Sequence, residues 1–421
     1  MKNMTYEETL DWIHGQLKFG IKPGVKRMEW MLNELGNPQK NIKGVHVVGT
    51  NGKGSTVNYL QNIFTQAGYE VGTFISPYIM DFRERISVNG EMISKEDLVK
   101  LVEIVKPVVD RLPLETDLKS ATEFEIITTM MFVYFGKMHP VDIAIIEAGL
   151  GGLHDSTNVF TPMAVICTSI GRDHQSILGD SYQEIAQQKV GVLKAEVPFI
   201  FAEKRDSVRQ VFYNRANALN CPTYEFDKEF RTFGNSRAFQ FSNGVNTLDI
   251  SLSMSGQHQV ANASLAIQTS LMLSDCYAKV TPTVIQQALS QAKWQGRTEL
   301  MRPNLMIDGA HNDESIAVLV DVLKENYPDY HIHILFAAID TKPVTTMLDQ
   351  LSVFDTLTVT SFDYPNSIKV EEYPDKYVRI EHFETWIDTV ASRPIPKTLY
   401  VITGSLYFIS QVRKSLLEDT N

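Results

Sequence analysis

The sequence predicts an α/β fold in two parts, a parallel-sheet domain followed by a smaller Rossmann-like domain. Three observations carry that expectation. Short apolar runs alternate with amphipathic stretches along almost all of the 421 residues, the pattern of parallel strands joined by helices that cover the faces of a sheet. Runs such as Val141-Asp-Ile-Ala-Ile-Ile-Glu147 are apolar almost throughout, as strands buried on both faces must be. The rhythm then restarts after Trp294-Gln-Gly-Arg-Thr-Glu299, which reads as a hinge and gives domains of 1–296 and 297–421.

In chain order, helical spacing predicts helices near 5–16 and 25–34, and an apolar run predicts a strand near 44–49. A helix near 55–67 follows, closed by Gly68, and then a strand near 70–75. Helices near 95–111 and 121–136 lead to strands near 141–147 and 163–169. Next come a helix near 181–194, a strand near 197–202 and a helix near 205–219. The stretch 222–255, with Phe230, Phe233, Phe239 and Phe241 among turn residues, reads as an antiparallel meander that interrupts the βα rhythm. Helices near 258–275 and 281–291 complete the first part. The second part alternates strand 305–308, helix 313–326, strand 331–337, helix 343–351, strand 356–361, helix 383–391, strand 399–402 and helix 405–416.

A composition of 43% hydrophobic residues supports large cores, and no apolar run reaches the roughly 20 residues of a membrane span. Met1-Lys-Asn-Met-Thr-Tyr-Glu7 lacks the apolar centre of a signal peptide, so a cytoplasmic address is expected. Cys167, Cys221 and Cys276 are far apart and without paired spacing, which argues for thiols rather than a disulfide framework or a cysteine metal site. A formal charge of −11 argues against nucleic acid as a general partner. Anionic small ligands then need local cations, for which Lys53, Arg83, Arg85, Lys189, Arg297 and Lys342 are candidates.

The strongest chemical signal is Gly44-Val-His-Val-Val-Gly-Thr-Asn-Gly-Lys-Gly-Ser-Thr56, an apolar strand running through a glycine-rich turn into a helix. Such a turn lets the backbone N–H groups of Gly49, Thr50, Asn51, Gly52 and Gly54 converge on phosphate. Lys53 reaches outer phosphate oxygens, and Ser55 or Thr56 offers a hydroxyl to Mg²⁺. ATP is the expected ligand, and the first domain reads as a P-loop-type ATPase domain. Gly49 reaches Lys53 sooner than in the usual phosphate loop, and Gly54 separates Lys53 from Ser55, so the loop is a related but distinct one.

Glu147 ends a central strand, where a carboxylate facing a phosphate loop commonly holds Mg²⁺; otherwise it is a solvated strand-end charge. Asp173 and His174 follow the next strand and reach the same sheet edge. In Ser181-Tyr-Gln-Glu-Ile-Ala-Gln-Gln-Lys-Val-Gly-Val-Leu193, helical spacing puts Lys189 on the apolar face with Ile185, Ala186, Val192 and Leu193. A lysine so placed is paired, deprotonated, modified or snorkelling.

Taken with Gly149-Leu-Gly-Gly152, Asp155-Ser-Thr-Asn158, Gly256-Gln-His-Gln-Val-Ala-Asn-Ala263, Asp308-Gly-Ala-His-Asn312 and Thr403-Gly-Ser-Leu-Tyr407, these motifs give a chain that resembles folylpolyglutamate synthases of the Mur ligase superfamily over essentially its whole length. Ser76-Pro-Tyr78, Glu84-Arg-Ile86 and Thr122-Glu-Phe-Glu125 fit as well.

The resemblance implies ATP-dependent ligation of L-glutamate to the γ-carboxylate of a folate or folylpolyglutamate through an acyl phosphate, with the second domain closing over the site. By motif position Lys53, His174 and Lys189 are the catalytic residues and Ser55, Ser76, Glu147, His174 and a carbamylated Lys189 the ligands of two Mg²⁺ ions. The loop from Gly49 to Thr56, with Asn262, Arg297, Asp308 and His311, would contact ATP, and Arg83 and Arg85 would bind the folate. The family reading also implies a monomer with no membrane or nucleic-acid partner, and leaves a monovalent-cation requirement open. Leu153-His154 stands where the family often has arginine, Arg172 where it often has leucine, and Asp81 and Arg83 also depart from common members, so pterin contacts stay open. Two alternatives stay open beside this reading. One is a dihydrofolate synthase or a bifunctional dihydrofolate/folylpolyglutamate synthase; the other is a nucleotide-switch binding module, against which the second domain and the missing Asn-Lys-x-Asp signature both speak.

Overall fold

A computed structural model describes residues 4–16, 24–392 and 395–418. The chain divides into two compact units, Met1–Ser251 with Val260–Ala292 and Leu252–Gln259 with Lys293–Asn421. The second unit therefore includes a short segment running into the start of the helix Gln257–Leu273, which no composition shift in the sequence marks.

The first unit is built on an eight-stranded sheet in the order β4-β3-β2-β5-β1-β6-β7-β8. Its strands are β1 (Gly44–Val48), β2 (Val71–Phe74), β3 (Ile86–Val88), β4 (Glu91–Met92), β5 (Ile143–Glu147), β6 (Ala164–Cys167), β7 (Phe199–Phe201) and β8 (Thr223–Glu225). The six strands from β2 to β8 in that order are parallel, while β3 and β4 turn back antiparallel at one edge. Every residue of β1, β2, β5, β6 and β7 is buried, as the unbroken apolar runs require. One core packs Met28, Met31, Leu101, Val105, Ile126 and Met130 against one face of the sheet, and a second packs Ile185, Ala186, Val190, Val208 and Phe212 with β6 and β7. The meander is present as the antiparallel strands β9 (Arg231–Gly234), β10 (Ala238–Ser242) and β11 (Thr247–Ser251), whose buried Phe239, Phe241, Leu248 and Ile250 alternate with exposed residues.

Several element boundaries differ from the sequence expectation, each for a local reason. The helix predicted from 55 starts at Lys53, because Gly52 at φ +90° makes the turn on its own. The helix predicted to 111 runs as Lys95–Glu115 through Pro107 and Pro113, held by buried Leu98, Leu101, Val102, Val105 and Leu112. The helix predicted to 194 ends at Val190, with Gly191 as its C-cap. The strands β3 and β4 are too brief to leave a periodic trace.

The second unit holds the six-stranded sheet β12-β13-β17-β14-β15-β16, from β12 (Glu299–Arg302), β13 (Leu305–Ile307), β14 (His331–Phe336), β15 (Thr356–Val359), β16 (Val378–Arg379) and β17 (Thr398–Thr403). All are parallel except β12, a strand at and just after the end of the segment expected to be only a hinge, which pairs antiparallel with β13.

His46 lies at the middle of β1 with no exposed surface, and its Nε2 is 2.8 Å from Thr157 Oγ1. Burial, with a smaller contribution from Lys194, pushes its pKa down to about 3 from about 6.5. Between those values the unfolded chain binds a proton that the folded chain refuses, so His46 costs stability as pH falls below about 6.5. The expected loss from this residue between pH 7.5 and 5.0 is about 2 kcal/mol. Urea unfolding of the His46→Gln protein at both pH values checks this: its acid-induced loss is expected to be smaller than that of the unaltered protein by about that amount.

Candidate active site

The carboxyl ends of β1, β5 and β6 meet at one edge of the first sheet, where ligands of open α/β sheets bind. Beyond β1 the chain passes through Gly49 at φ +146° and Gly52 at φ +90°. A Cβ at Gly49 would stand 2.0 Å from Thr168 Oγ1, and one at Gly52 2.4 Å from Asn262 Oδ1, so neither position admits a side chain. The loop is pinned from the β6 side: Thr50 N donates to Ser169 O at 2.8 Å, Asn51 N to Ser169 Oγ at 3.1 Å, and Thr168 Oγ1 to Asn51 O at 2.6 Å. The helix Lys53–Gln66 then begins with no side-chain cap, so its positive end is not covered by an N-cap side chain of its own.

Parallel pairing of Val47 with Glu147 brings β5's terminal carboxylate beside the loop. Lys53 Nζ donates to Thr50 O at 3.3 Å and stands 3.7 Å from Glu147 Oε1, with only 6% of the Glu147 side chain exposed. Ser55 is buried in the first turn of the helix. The segment after Glu147 lies on the helix Tyr182–Val190, where Leu153 N donates to Gln188 O at 2.7 Å, and it is tied back by buried Asp155, which accepts from Leu150 N at 2.7 Å and Thr157 N at 2.9 Å.

Lys189 occupies the buried face that its helical spacing predicts and is only 4% exposed. Its Nζ donates to Gly49 O at 2.8 Å, which ties the lysine directly to the phosphate-type loop. Burial first, and then the nearby charge of Lys53, lower its pKa to about 7, against the opposing pull of Cys167, Asp173 and Asp155. His174 reaches the same sheet edge as the left-handed N-cap of the helix Gln175–Leu178; its side chain is 49% exposed and Nε2 is 3.8 Å from Asp173 Oδ1.

The structure thus brings Gly49 to Thr56, Glu147, Lys189 and Asn262 together, with His174 at the rim. Ser76 accepts a hydrogen bond from Arg85 Nη1 at 3.3 Å. Arg83 is held by Asp81 in a forked pair, Nε to Oδ1 at 3.0 Å and Nη2 to Oδ2 at 2.8 Å, so its charge is already matched within the loop. Arg85 stacks on Tyr78 and Phe82, at 5.2 and 5.6 Å from the ring centroids, and His14 meets the Phe82 ring edge-on at 5.3 Å. Sequence reasoning missed that Phe82, which is buried, and His14 pack beneath and beside Arg85, and also missed Thr168 and Ser169. The last two carried a readable signal, hydroxyls at the carboxyl end of a buried strand.

In the second unit, Asp308 ends up buried just past β13, accepting from Thr298 N at 2.8 Å and Ala310 N at 2.9 Å. Burial raises its pKa, and Arg297 and these amides oppose the rise. His311 Nδ1 is 2.8 Å from Gly309 O, which fixes the ring and leaves Nε2 as the acceptor of the neutral form. Arg297, Asp308 and His311 therefore lie at the open end of the β12–β13 hairpin, whose two arms are joined there by Gly309 N donating to Gly296 O at 2.9 Å.

Among the described residues no group of three or more His, Cys, Asp or Glu side chains could by itself hold a metal ion. The buried Ser55 hydroxyl and Glu147 carboxylate are hard oxygen donors of the kind Mg²⁺ takes. Lys189 as an amine fits no cation; only an anionic derivative of it would.

The Mur ligase middle-domain family model matches residues 47–270. The chain is similar to a dihydrofolate synthase/folylpolyglutamate synthase of Bacillus subtilis, 38% identical over 98% of this chain and 99% of that one. It is similar also to a folylpolyglutamate synthase of Lacticaseibacillus casei, 32% identical over 98% and 99% of the two chains. A solved folylpolyglutamate synthase complex with AMPPCP and folate superposes with a TM-score of 0.84 at 31% identity, covering 98% of this chain and 100% of that one. Together with the strand–loop–helix geometry and the placements of Glu147 and Lys189, these matches along nearly the full length put the chain in the folylpolyglutamate synthase/dihydrofolate synthase family of Mur ligases.

Proposed function

We propose that this protein joins L-glutamate to the γ-carboxylate of a folate or folylpolyglutamate at the expense of ATP, through an acyl phosphate, releasing ADP and phosphate. The observation that carries the reading is the convergence of Lys53, Glu147 and Lys189 on the loop from Gly49 to Gly52. A carboxylate is a poor electrophile, and phosphorylating it supplies a leaving group that an amine can displace. In this reading the amides of Gly52 and Gly54, with Lys53, hold the nucleotide phosphates, since the expected phosphate donors Thr50 N and Asn51 N are spent on Ser169; Asn262 faces the adenine, and Arg297, Asp308 and His311 supply further ATP contacts from the second unit. Ser55 and Glu147 would hold Mg²⁺, with Ser76 assisting, and the ion would supply neutralising charge to the transferring phosphoryl group. Arg85 and Arg83 would bind the folate, with Tyr78 beside Arg85, buried Phe82 beneath that guanidinium and Asp81 orienting Arg83.

A lysine with its pKa near 7 is partly neutral at physiological pH. Its nitrogen lone pair can add to CO₂, forming an N–C bond and losing a proton to give an anionic carbamate, which with His174 would make a second Mg²⁺ position. The same reading assigns a cytoplasmic monomer made of the domains 1–296 and 297–421.

A second reading, dihydropteroate as an additional acceptor, is favoured by the double name of the Bacillus subtilis relative. One assay tests both. The protein is incubated with ATP, Mg²⁺ and glutamate plus either tetrahydrofolate or dihydropteroate, and ADP and product mass are followed. Addition of one glutamyl residue per ADP with tetrahydrofolate is the expected result, and parallel addition to dihydropteroate would establish the bifunctional form. ADP formation that ignores both acceptors would overturn the ligase reading in favour of a nucleotide switch.

A further inference from the structure

Glu147 ends β5 and Lys189 sits on the helix Tyr182–Val190, so no single element sets their separation. The segment that follows Glu147 spans it. Ala148 N donates to Val47 O at 3.0 Å, which keeps one end on β1, and Leu153 N donates to Gln188 O at the other. A Cβ at Gly152 would stand 2.4 Å from Lys189 O, so the segment rests backbone to backbone on the residue whose amine reaches Gly49. Between those ends Asp155 Oδ2 accepts from Leu150 N, and Asn158 Nδ2 donates to Leu153 O at 3.0 Å.

Asp155 is also the end of a buried chain that starts inside β1. Its Oδ1 accepts from Thr157 N at 2.9 Å and from the Thr157 hydroxyl. A hydroxyl has one proton to give, so the Thr157 oxygen can only accept from its other neighbour, His46 Nε2 at 2.8 Å. His46 is therefore the tautomer with its proton on Nε2. Its Nδ1 is buried with no hydrogen-bond partner among the described residues, and the Phe160 ring lies 5.2 Å away. A fully buried histidine with one nitrogen unpaired costs stability that an apolar residue in the middle of a strand would not. What the imidazole supplies in return is the Nε2 proton that orients Thr157. Burial raises the pKa of Asp155 and the donors around it oppose the rise, so the Thr157 hydroxyl helps to keep this carboxylate an acceptor for Leu150 N.

We infer that His46 is a positioning residue of the ligation reaction: through the Thr157 hydroxyl and the Asp155 carboxylate it fixes the segment from Ala148 to Leu153, and with it the placement of Glu147 relative to Lys189. This rests on the ligase reading above and adds to it a residue with no exposed surface.

Amide hydrogen exchange of the ligand-free protein and steady-state kinetics would be measured for the unaltered, Thr157→Val, Thr157→Ser, His46→Leu and His46→Gln proteins. Valine keeps the shape of threonine without its hydroxyl; serine restores the hydroxyl, and glutamine restores an N–H donor in place of Nε2. Thr157→Val and His46→Leu are expected to speed exchange across 148–158 about tenfold while the loop 49–56 stays as it was. They are also expected to lower kcat about tenfold, with KM for ATP within about twofold. Thr157→Ser and His46→Gln are expected to recover most of both. Thr157→Val carries the test if His46→Leu does not fold. Unchanged exchange across 148–158 overturns the chain of contacts. Faster exchange with ordinary kcat, or a loss of kcat that serine and glutamine do not recover, overturns the role in the reaction. If the unaltered protein ligates no glutamate, the ligase reading fails on that result alone, and the exchange data still report whether His46 holds the segment.

Discussion

Lys53→Ala is expected to lower the rate of ADP release by about three orders of magnitude, equivalent to about 4 kcal/mol of transition-state stabilisation. Lys53 opens the loop helix, 3.7 Å from the buried Glu147 carboxylate and within hydrogen-bond reach of Thr50 O. In the proposed mechanism its removal would strip positive charge from where phosphoryl charge develops and would leave the buried Glu147 carboxylate without that neighbour. The fold is expected to survive, because the loop is held by Thr168, Ser169 and Gly171 rather than by the lysine. Circular dichroism and a melting temperature within a few degrees of the unaltered protein would establish that. A folded Lys53→Ala protein with ordinary turnover would remove the loop from the chemistry.

Lys189→Ala is expected to have the next largest effect, a loss of about two to three orders of magnitude in turnover with much smaller change in ATP affinity. The substitution removes the Lys189 Nζ to Gly49 O hydrogen bond and the only basic side chain on the buried face of its helix. If the working form is the carbamate, turnover of Lys189→Ala is expected to recover in part with added formate or acetate, which would place a carboxylate oxygen in the vacated space. Turnover of the unaltered protein would likewise fall when CO₂ and bicarbonate are removed. An active Lys189→Ala protein, or one whose ATP affinity falls as far as its turnover, would contradict that role.

Much of this site was legible in the sequence because each part has its own physical trace. The glycines and Lys53 follow an apolar strand, Glu147 ends an unbroken apolar run, and the helical spacing of Lys189 with Ile185 and Ala186 is enough to put it on the inner face of its helix. The sheet followed for the same reason: strands buried on both faces read as continuous apolar segments.

What stayed hidden depends on contacts distant in sequence. Nothing near Gly49 announces that Thr168 and Ser169 pin the loop, and nothing near His14 that it meets Phe82. Arg83 is placed at the folate by the resemblance alone; its forked pair with Asp81, two residues before it, emerges only from the geometry of that turn. The antiparallel β12 was masked because Thr298 to Arg302 carries the composition of a linker and gains its pairing only from β13.

The measurement closest to the chemistry follows oxygen. Folate substrate labelled with ¹⁸O in its glutamyl carboxylates is ligated with ATP and glutamate, and the released phosphate is analysed by mass spectrometry. When the carboxylate attacks the γ-phosphorus and the glutamate amine later expels phosphate, one carboxylate oxygen leaves with the phosphorus. One ¹⁸O per phosphate, at the stoichiometry of the new amide, is the expected result. Unlabelled phosphate released alongside the same product would contradict an acyl phosphate formed on this loop.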